Sequence, residues 1–348
     1  MRTALIGLGR IGWQLHIEEI TKHEGLSLCA VVDLNTSRIE EANEQYGATG
    51  YQDYREMLEK EKPEMVVIAS PTVFHEEQAI AALKAGADVL LDKPMTIGME
   101  SARRIEKTVK ETGRKLVVFQ PHRSYKLAVA AKQIIARGVL GRIFEINRID
   151  YDYIRRNDWQ AFKEFGGGML NNFGAHYIDQ LLYLTKEKTE YIYCTMKKIA
   201  SRGDAEDVVR IILTTESGTI LNIDINQACA MYKNDLRICG EYGTAWIDKD
   251  KDGKLAFHLK YYDPEELKPL EASRKLEAKG RSYMSEKIPW KEEWLPLSEV
   301  EPDDLYGKCR DYFLSKGPSP VPVEETLEVM RIIEECEKQG VNSSERKR

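Results

Sequence analysis

Residues 3–12 read TALIGLGRIG, and this stretch decides the expected fold of the first third of the chain. The apolar run at 3–8 predicts a strand, and Gly7, Gly9 and Gly12 follow in GxGxxG spacing. The first glycine of such a turn allows a tight bend. The second lets a diphosphate approach the backbone, and the third lets the next helix pack close to the strand. We therefore predict a dinucleotide-binding turn, with a glycine-rich turn that binds no ligand as the alternative.

The same alternation of strand and helix continues to about residue 120. Unbroken Val, Ile and Leu content predicts further strands, each buried on both faces, at 27–33, 65–70, 88–93 and 115–120. Helical stretches such as SRIEEANEQY and HEEQAIAALKAG lie between them. This alternation is typical of a doubly wound parallel sheet, so residues 1–120 are predicted to form an α/β Rossmann domain.

The pattern changes after residue 120, and residues 121–348 are predicted to form an α+β domain for substrate binding and oligomerisation. The run at 143–153 predicts a long strand, and 207–227 predicts two strands around a Ser-Gly turn. Apolar and polar residues alternate along the second of these strands, as in an antiparallel sheet that is covered on one face. The charge-rich stretch 249–295 carries no assignment.

Composition narrows the class of protein. The chain has 348 residues, which suggests about two domains. Its net charge of −6 argues against nucleic acid as a partner, because basic residues must neutralise the phosphates. Six scattered cysteines without a CxxC pair, and histidines without HxxxH spacing, favour reduced thiols and no metal site. No apolar run approaches the ~20 residues of a membrane span, and the N-terminus lacks a signal-peptide pattern, so a cytoplasmic location is expected.

Asp33 supplies a second cofactor signal. It ends the predicted second strand, 21 residues after Gly12, where a carboxylate accepts the ribose hydroxyls of NAD. The same carboxylate would repel the 2′-phosphate of NADP, although Arg38 lies five residues further on and offsets part of that charge. NAD is therefore expected rather than NADP, and a structural helix cap is the alternative role for Asp33.

Three further motifs, in order behind the GxGxxG, carry a family resemblance. They are SPTVFH at 70–75, LLDKPM at 90–95 and GGGMLNNFGAHYID at 166–179. Together they resemble the Gfo/Idh/MocA oxidoreductases, which include glucose–fructose oxidoreductase and inositol dehydrogenase. The resemblance implies an N-terminal Rossmann domain and a C-terminal domain with a large, mostly antiparallel sheet. It also implies NAD(P)-dependent oxidation or reduction of a sugar or polyol hydroxyl.

The resemblance also assigns residues. The family's EKP motif falls on Asp92, Lys93 and Pro94, which places the lysine beside the nicotinamide and the reacting oxygen and implies a cis Lys93–Pro94 peptide. The Asp and His of its glycine-led motif fall on Asn172 and His176. Asp92 in place of Glu keeps the charge, whereas Asn172 in place of Asp removes a charge from the reaction centre.

These residue types suit the oxidation of a secondary alcohol, which needs a base for the hydroxyl proton and a donor for the developing oxyanion. Histidine titrates near neutrality, so His176 is predicted to transfer the proton. Lys93, at a strand end near the cofactor cleft, suits the oxyanion, and burial beside NAD⁺ would lower its pKa. Four residues apart on a helix, Asn172 and His176 share a face, so Asn172 is predicted to position the substrate. Asp179 either orients the His176 ring or has a structural role.

The glycine run 166–168 directly precedes that helix. Glycine permits positive φ and close backbone approach, so the run is predicted to bring the loop onto the nicotinamide and to deliver the helix there. The alternative is a flexible link, with His176 as a core histidine. The presence of Lys93 and the GxGxxG in the same chain favours the first interpretation.

Several further residues are candidates for the predicted sites, each with a structural role as its alternative. His75 is expected either to contact the cofactor or to cap a helix, and Arg123, beside His122, either to reach the substrate or to form an interdomain salt bridge. The stretch 151–159 combines aromatic rings suited to sugars with arginines suited to an anionic group, and a solvated loop or subunit contact is its alternative. The predicted cofactor-binding residues are Gly7, Gly9, Arg10, Ile11, Gly12, Asp33, Ser70, Pro71, His75, Asp92 and Lys93. The predicted catalytic residues are Lys93, His176 and Asn172, and the predicted substrate-binding residues are these three with Arg123, Tyr153, Arg156 and Trp159.

These assignments predict an NAD-dependent dehydrogenase that transfers hydride between the hydroxyl of a sugar or inositol-like polyol and the nicotinamide. Two alternatives stay open: a non-catalytic regulator that binds NAD and a sugar, and a glycosidase or epimerase that recycles tightly held NAD. Retention of Lys93 and His176 argues against the regulator, while Asn172 argues for it. The open face of a large antiparallel sheet needs a cover, so a homodimer or homotetramer is expected.

Overall fold

The structure is a computed structural model that describes residues 1–267 and 286–345. Its strands are β1 (Arg2–Ile6), β2 (Ser27–Val32), β3 (Thr49–Tyr51), β4 (Met65–Ile68), β5 (Asp88–Asp92), β6 (Leu116–Phe119), β7 (Ile143–Tyr153), β8 (Thr189–Lys197), β9 (Val208–Thr215), β10 (Ile220–Asn226), β11 (Ala228–Gly240), β12 (Gly243–Lys249), β13 (Leu255–Tyr261) and β14 (Lys291–Pro296). Its helices are α1 (Glu18–Lys22), α2 (Thr36–Tyr46), α3 (Tyr54–Glu61), α4 (His75–Lys84), α5 (Met99–Thr112), α6 (Lys126–Arg137), α7 (Ala175–Thr185), α8 (Leu305–Phe313) and α9 (Val323–Glu345). Two π-helical segments, Gly12–Ile17 and Leu170–Gly174, run directly into α1 and α7.

The first six strands form one parallel sheet in the order β3-β2-β1-β4-β5-β6. All six carboxyl ends therefore meet at one edge of the sheet, where doubly wound folds bind ligands. This confirms the Rossmann architecture predicted from the first third of the chain. β3 was not predicted, because its residues TGY carry no apolar run and two of the three are exposed at the sheet edge.

A helix from late in the chain covers one face of this sheet. Leu5 of β1 packs in the same cluster as Leu305 and Phe313 of α8, which are 6% and 4% exposed. His23, which follows α1, holds the start of α8, because its Nε2 lies 3.2 Å from an oxygen of the capping residue Asp304. α8 therefore packs against the first sheet although it is far from that sheet in sequence. The domain boundary after residue 120 stays a prediction.

The second sheet has the strand order β14-β13-β12-β11-β7-β10-β9-β8. β7 and β10 run parallel and the other neighbours run antiparallel, which confirms the α+β class with a large, mostly antiparallel sheet. β7 has the bounds that its sequence predicts. β13 and β14 come largely from the stretch 249–295, which carried no assignment. β14, with the sequence KEEWLP, pairs through its backbone at the edge of the sheet, and none of its side chains is fully buried. Residues 268–285 lie outside the described residues.

The second sheet has one buried face and one open face. Leu221, Ile223 and Ile225 of β10 are at most 1% exposed, whereas the alternating Asn222 and Asp224 are only partly covered. α7 packs on β10, and α9 packs on α7, on β8 and also on α5 of the first domain. α7 also contacts residues 121–123, which follow β6 at the carboxyl edge of the first sheet. Across residues 1–267 and 286–345, none of the helices has the length and apolar character needed to cross a bilayer.

Candidate active site

A cleft of about 1210 Å³ follows the carboxyl edge of the first sheet, and residues from 156–176 line its other side. The glycine turn and Asp33 line one end, and Lys93, Asn172 and His176 line the other. Motifs that are separated by up to about half of the chain therefore meet in one cavity.

The turn after β1 has a backbone shape that suits a diphosphate. Gly7 has a φ of +94°, and a Cβ on Gly12 would lie 1.9 Å from the Gly7 carbonyl oxygen, so helix and strand are in direct backbone contact. A Cβ on Gly9 would meet nothing within 4 Å, and Gly9 lines the cleft. The helix that begins at Gly12 offers its first N–H groups beside this turn. The residues present thus fit the dinucleotide that the motif predicts.

Asp33 lies directly after β2 and faces the cleft. Its Oδ2 accepts a hydrogen bond from Leu8 N at 2.7 Å, and its Oδ1 accepts one from Asn35 N at 2.9 Å. Each carboxylate oxygen has a further lone pair, so both ribose hydroxyls can still be accommodated. Arg38 lies 3.6 Å from Oδ2 and is half exposed, which leaves a cation at the same end of the cleft.

His75 lies behind the cofactor wall and not in the cleft. Ser70 and Pro71 line the cleft, whereas the His75 ring is 1% exposed. Its Nδ1 is 3.0 Å from the carbonyl oxygen of Pro94, and its Nε2 is 2.9 Å from that of Ser70. Burial lowers the pKa of His75, against an opposing effect of Asp92. A neutral imidazole has one N–H group, so His75 donates to one of these two carbonyl oxygens, between the turn after β4 and the turn after β5. Its burial there corrects the expectation of a direct cofactor contact.

Lys93 follows β5 and projects into the reaction end of the cleft. Its peptide bond to Pro94 is cis, as the resemblance implied. Its Nζ donates to the backbone oxygen of Asn172 at 2.7 Å and to the Asn172 Oδ1 at 3.0 Å. Removal from bulk water lowers the pKa of Lys93 to about 8; Asp92 opposes this shift and Arg156 adds to it. A sizeable fraction of this lysine is therefore neutral slightly above neutral pH.

Asn172 lies in the π-helical segment Leu170–Gly174, just before α7. Its Oδ1 faces Lys93, and its Nδ2 donates to Gln160 Oε1 at 3.0 Å, so both ends of the amide are engaged. π-Helical turns are frequent at functional sites. Gln160 also lines the cleft but was not predicted, because nothing in the spacing around it distinguishes it from a surface glutamine.

His176 lies in the first turn of α7, lines the cleft and is 9% exposed. Its ring stacks on that of His122, with centroids 4.0 Å apart and planes inclined by 13°. Burial, Lys93 and His122 together hold the pKa of His176 well below its usual value. Burial, Arg148 and Lys93 likewise lower the pKa of His122 to about 3. Both rings are therefore neutral at physiological pH.

The glycine run is required by contacts within the protein. A Cβ on Gly167 would lie 2.4 Å from the carbonyl oxygen of Gln160, and one on Gly168 would lie 2.2 Å from Glu206 Oε1. The same Glu206 oxygen accepts from Leu170 N at 3.0 Å, which holds the start of the helical segment. Close packing at these glycines thus positions the helix that carries Asn172 and His176. Approach of the loop to a nicotinamide stays a prediction.

The predicted substrate-binding residues divide into two groups. Arg156 and Trp159 line the cleft, and Arg156 pairs with Asp158 at 2.6 Å. Tyr153 lies at the end of β7, 54% exposed, and is not among the cleft residues. The stretch 151–159 therefore contributes its second half to the site and its first half to the sheet.

Arg123 is a structural residue in this fold, which corrects its predicted contact with substrate. It is 5% exposed, and its Nε donates to Asp179 Oδ2 at 2.8 Å. Its NH1 lies 2.6 Å from Glu325 of α9. A buried guanidinium needs such carboxylates, and their removal would leave an uncompensated charge. Asp179 is accordingly engaged by Arg123 and does not orient the His176 ring.

The fold and the cleft define a class of protein: a two-domain oxidoreductase with an NAD-binding Rossmann domain. Residues 1–120 match the family model described as an oxidoreductase family with an NAD-binding Rossmann fold, and residues 128–246 match the GFO/IDH/MocA C-terminal domain. The chain belongs to the Gfo/Idh/MocA family of oxidoreductases.

Individual relatives are distant. D-glucoside 3-dehydrogenase of Escherichia coli (strain K12) is 31% identical over 53% of this chain, a match that spans about half (54%) of that enzyme. Myo-inositol 2-dehydrogenase of Thermotoga maritima is 28% identical over 72% of this chain and 76% of its own length. The WlbA dehydrogenase of Bordetella pertussis, solved with NADH and UDP-GlcNAcA, superposes with a TM-score of 0.77 at 22% identity and covers 99% of this chain and 97% of its own, which shows a shared fold.

Proposed function

We propose that this protein is an NAD-dependent dehydrogenase that oxidises a secondary hydroxyl of a sugar or an inositol-like polyol. The observation that carries the proposal is the convergence of Lys93, Asn172 and His176 at one end of the cleft whose other end is the glycine turn. Hydrogen-bonding side chains and the ring of Trp159 also line the cleft, which suits a polyhydroxylated substrate. The related D-glucoside 3-dehydrogenase and myo-inositol 2-dehydrogenase support this substrate class.

We propose NAD as the cofactor, with NADP disfavoured. Support comes from the Asp33 carboxylate, which follows β2 and lines the cleft, where it would accept ribose hydroxyls and repel a 2′-phosphate. Arg38 reduces this repulsion because it lies 3.6 Å from the same carboxylate. When bound, the nicotinamide serves as the hydride acceptor. Gly7–Gly12 would hold its diphosphate and Lys93 would lie beside the reacting oxygen.

The test is a panel of inositols, methyl glucosides, aldoses and uronic acids with NAD⁺ and with NADP⁺, following the absorbance of the reduced cofactor. We expect reduction with at least one polyol or sugar, with NAD⁺ preferred. Lys93→Met should lose this activity. Lys107→Met, which removes the same charge from an exposed helix position paired with Glu111, should retain it.

The same panel separates the two alternatives. A protein that purifies with NAD and converts a sugar without net NADH would be a glycosidase or epimerase that recycles its cofactor. A protein that binds NAD and a sugar by calorimetry but converts none would be a regulator. Either result would overturn the dehydrogenase proposal while leaving the family assignment intact.

We propose that the open face of the second sheet pairs with a second copy of the chain, giving a homodimer or homotetramer. Aromatic and apolar side chains on this face are exposed by 65% at Tyr191, 60% at Tyr193, 43% at Ile212 and 42% at Trp294. Tyr191, Tyr193 and Ile212 lie on β8 and β9 at one edge of the sheet, and Trp294 lies on β14 at the other edge. Exposed apolar side chains on a sheet face are commonly covered by symmetric pairing. Light scattering at micromolar concentration should give a dimer or tetramer, and Ile212→Glu should dissociate it. A monomeric wild type would contradict the proposal. A cytoplasmic location stays a prediction that cell fractionation would test.

A further inference from the structure

The charges that line the cleft are divided unevenly along it. At the cofactor end, Asp33 pairs with Arg38 at 3.6 Å. Two further carboxylates share the guanidinium of Arg55 there, Asp53 at 3.8 Å and Glu77 at 3.4 Å. Among the described residues, the other charged groups that line the cleft are three cations and two carboxylates, namely Arg10, Lys93 and Arg156 with Asp92 and Asp158. Carboxylates therefore exceed cations at the cofactor end, and cations exceed carboxylates in the rest of the cleft.

A series of hydrogen bonds connects Arg156 to the reaction end. Asp158 Oδ1 accepts from Arg156 Nε at 3.2 Å and from the backbone N of Gln160 at 3.1 Å. The side chain of Gln160 accepts from Asn172 Nδ2 at 3.0 Å, and Asn172 Oδ1 accepts from Lys93 Nζ at 3.0 Å. Arg156 therefore belongs to the hydrogen-bond network of Lys93 and Asn172.

Arg156 uses only one edge of its guanidinium within the protein. Its Nε and Nη2 donate to the two oxygens of Asp158, at 3.2 and 2.6 Å. A guanidinium has five N–H groups in a planar fork, so both N–H groups of Nη1 and the second one of Nη2 remain. These groups have no partner among the described residues, and the side chain is 24% exposed and lines the cleft. The free edge has the geometry that a carboxylate needs for two parallel hydrogen bonds.

The protein supplies no carboxylate for this edge or for the amine of Lys93. Within residues 1–267 and 286–345, no acid forms an ion pair with Lys93 Nζ, whose two acceptors are uncharged oxygens of Asn172. Both oxygens of Asp158 are engaged by Arg156. Asp92 accepts from the backbone N of Lys93 at 3.0 Å and does not pair with its Nζ. The position at which the family has a carboxylate is the neutral Asn172 here, so a negatively charged ligand would meet cations whose carboxylates are missing or already engaged.

We propose that the substrate is a sugar or polyol that carries a carboxylate, and that Arg156 binds this carboxylate through its free edge. This inference rests on the proposed function and names the substrate class of the same site. The reacting hydroxyl lies beside Lys93 and the carboxylate beside Arg156. A site of this kind discriminates against uncharged sugars, because a ligand without the carboxylate leaves the guanidinium edge unpaired.

Arg10 is a second free cation in the cleft, and its place in the glycine turn assigns it to the cofactor. It follows Gly9, is exposed, and forms no hydrogen bond or ion pair with the described residues. The diphosphate of a dinucleotide carries its negative charge at this turn. Arg10→Gln should therefore weaken the binding of NAD⁺, measured by calorimetry, and should keep the preference for an acid substrate. If Arg10→Gln removes that preference and Arg156→Gln does not, the assignment of the carboxylate to Arg156 is wrong.

The first experiment compares matched substrates in turnover with NAD⁺. Each aldose of the panel is supplied as the neutral sugar, the uronic acid, the uronamide and the 6-phosphate, and the uronamide has the size of the acid without its charge. We expect kcat/KM for at least one uronic acid to exceed that for its uronamide by roughly 10- to 100-fold, the usual contribution of a hydrogen bond to a charged group. Equal values for acid and amide would overturn the proposal. A preference for the 6-phosphate over the acid would also overturn it, because the free edge would then bind a phosphate.

The second experiment assigns the preference to Arg156. The ratio of kcat/KM for the acid to that for the amide should fall toward one in Arg156→Gln. It should fall only part of the way in Arg156→Lys, which keeps the charge but loses the planar fork. Because a general disturbance of the fold slows both substrates alike, the ratio isolates the contact with the carboxylate. The matched control is Arg155→Gln, since Arg155 is exposed, donates to the Ala200 carbonyl oxygen at 3.1 Å and does not line the cleft. An unchanged ratio in Arg156→Gln, or an equal loss in Arg155→Gln, would overturn the proposal.

The carboxylate site and the dehydrogenase function fail separately. Calorimetry with a uronic acid and its uronamide, on the protein loaded with NADH, measures the preference without turnover. If sugars are oxidised but acid and amide bind and react alike, the dehydrogenase proposal stands and the carboxylate site is wrong. If no member of the panel is oxidised but acids bind through Arg156, the dehydrogenase proposal fails and the carboxylate site stands.

Discussion

The two ends of the cleft differ in the groups that line them, which are mainly backbone at one end and side chains at the other. The cofactor end consists of backbone, in the turn Gly7–Gly12, and one carboxylate, Asp33, that is held by two backbone N–H groups. The reaction end consists of side chains that influence one another's pKa values. Lys93 is hydrogen-bonded to Asn172, and the His176 ring stacks on that of His122. The backbone conformation of the turn can be predicted from the spacing of its glycines. The protonation state of a side chain cannot be predicted in this way, because it depends on neighbours that are remote in sequence.

Removal of the Lys93 amine should have the largest effect on activity. Lys93→Met removes the amine proposed to lie beside the reacting oxygen and its hydrogen bonds to Asn172, so kcat/KM for oxidation should fall by roughly 10³-fold. NAD binding, measured by calorimetry, should change little, because the glycine turn and Asp33 lie at the other end of the cleft. Less than a tenfold loss in kcat/KM, with Lys107→Met as the matched control, would show that the reaction end is misassigned.

A substitution at the cofactor end should change the preference between NAD and NADP. Asp33→Ser removes the carboxylate that disfavours a 2′-phosphate, while Arg38 remains, so the preference for NAD over NADP should narrow by about tenfold, or roughly 1.4 kcal/mol. The control is Asp53→Ser, which removes another carboxylate of the cleft but keeps an oxygen to cap α3. The ratio of kcat/KM values for the two cofactors measures the change. A wild type that already prefers NADP by tenfold would contradict the role of Asp33.

The smallest effect is expected from restoring the family's carboxylate. In Asn172→Asp a negative charge lies next to Lys93 Nζ and favours the ammonium, so the pKa of Lys93 should rise. The pH dependence of oxidation should move upward by about one unit, with activity retained. Asn157→Asp adds the same charge at a residue that bonds Arg202 and does not line the cleft, and it should leave the profile in place. An unshifted profile in Asn172→Asp would break the link between Asn172 and proton transfer.

Much of the fold could be predicted because its signals are local. The apolar runs of β1, β2 and β4–β6 and the alternation along β10 follow from burial on two faces or one, and each is confirmed. β3 and β14 could not be predicted in the same way, because edge strands gain their stability from backbone pairing and need little apolar sequence. The return of α8 to the first sheet depends on tertiary packing of Leu305 and Phe313, which no local pattern specifies.

The candidate site was also predicted only where the signal is local in sequence. The convergence of Lys93, Asn172 and His176 was predicted from motifs, but their surroundings were not. Arg123 was assigned to substrate because it lies at the predicted domain junction, with a salt bridge as the alternative. In the structure it pairs with the buried carboxylate of Asp179. The proton was assigned to His176 because histidine titrates near neutrality in water. That assignment stays a prediction, and the unpartnered Nδ1 and the stacked His122 that surround the ring are visible only after folding.

The central claim is that one cleft holds the cofactor at its backbone end and performs chemistry at its lysine end. A crystal structure of the protein with NAD⁺ and a substrate from the panel tests it most directly. The account predicts the adenosine ribose hydroxyls within about 2.6–3.2 Å of the Asp33 carboxylate and the reacting hydroxyl at the same distance from Lys93 Nζ. A nicotinamide ring directed away from Lys93, or a substrate hydroxyl bonded to His176 with Lys93 out of reach, would contradict it.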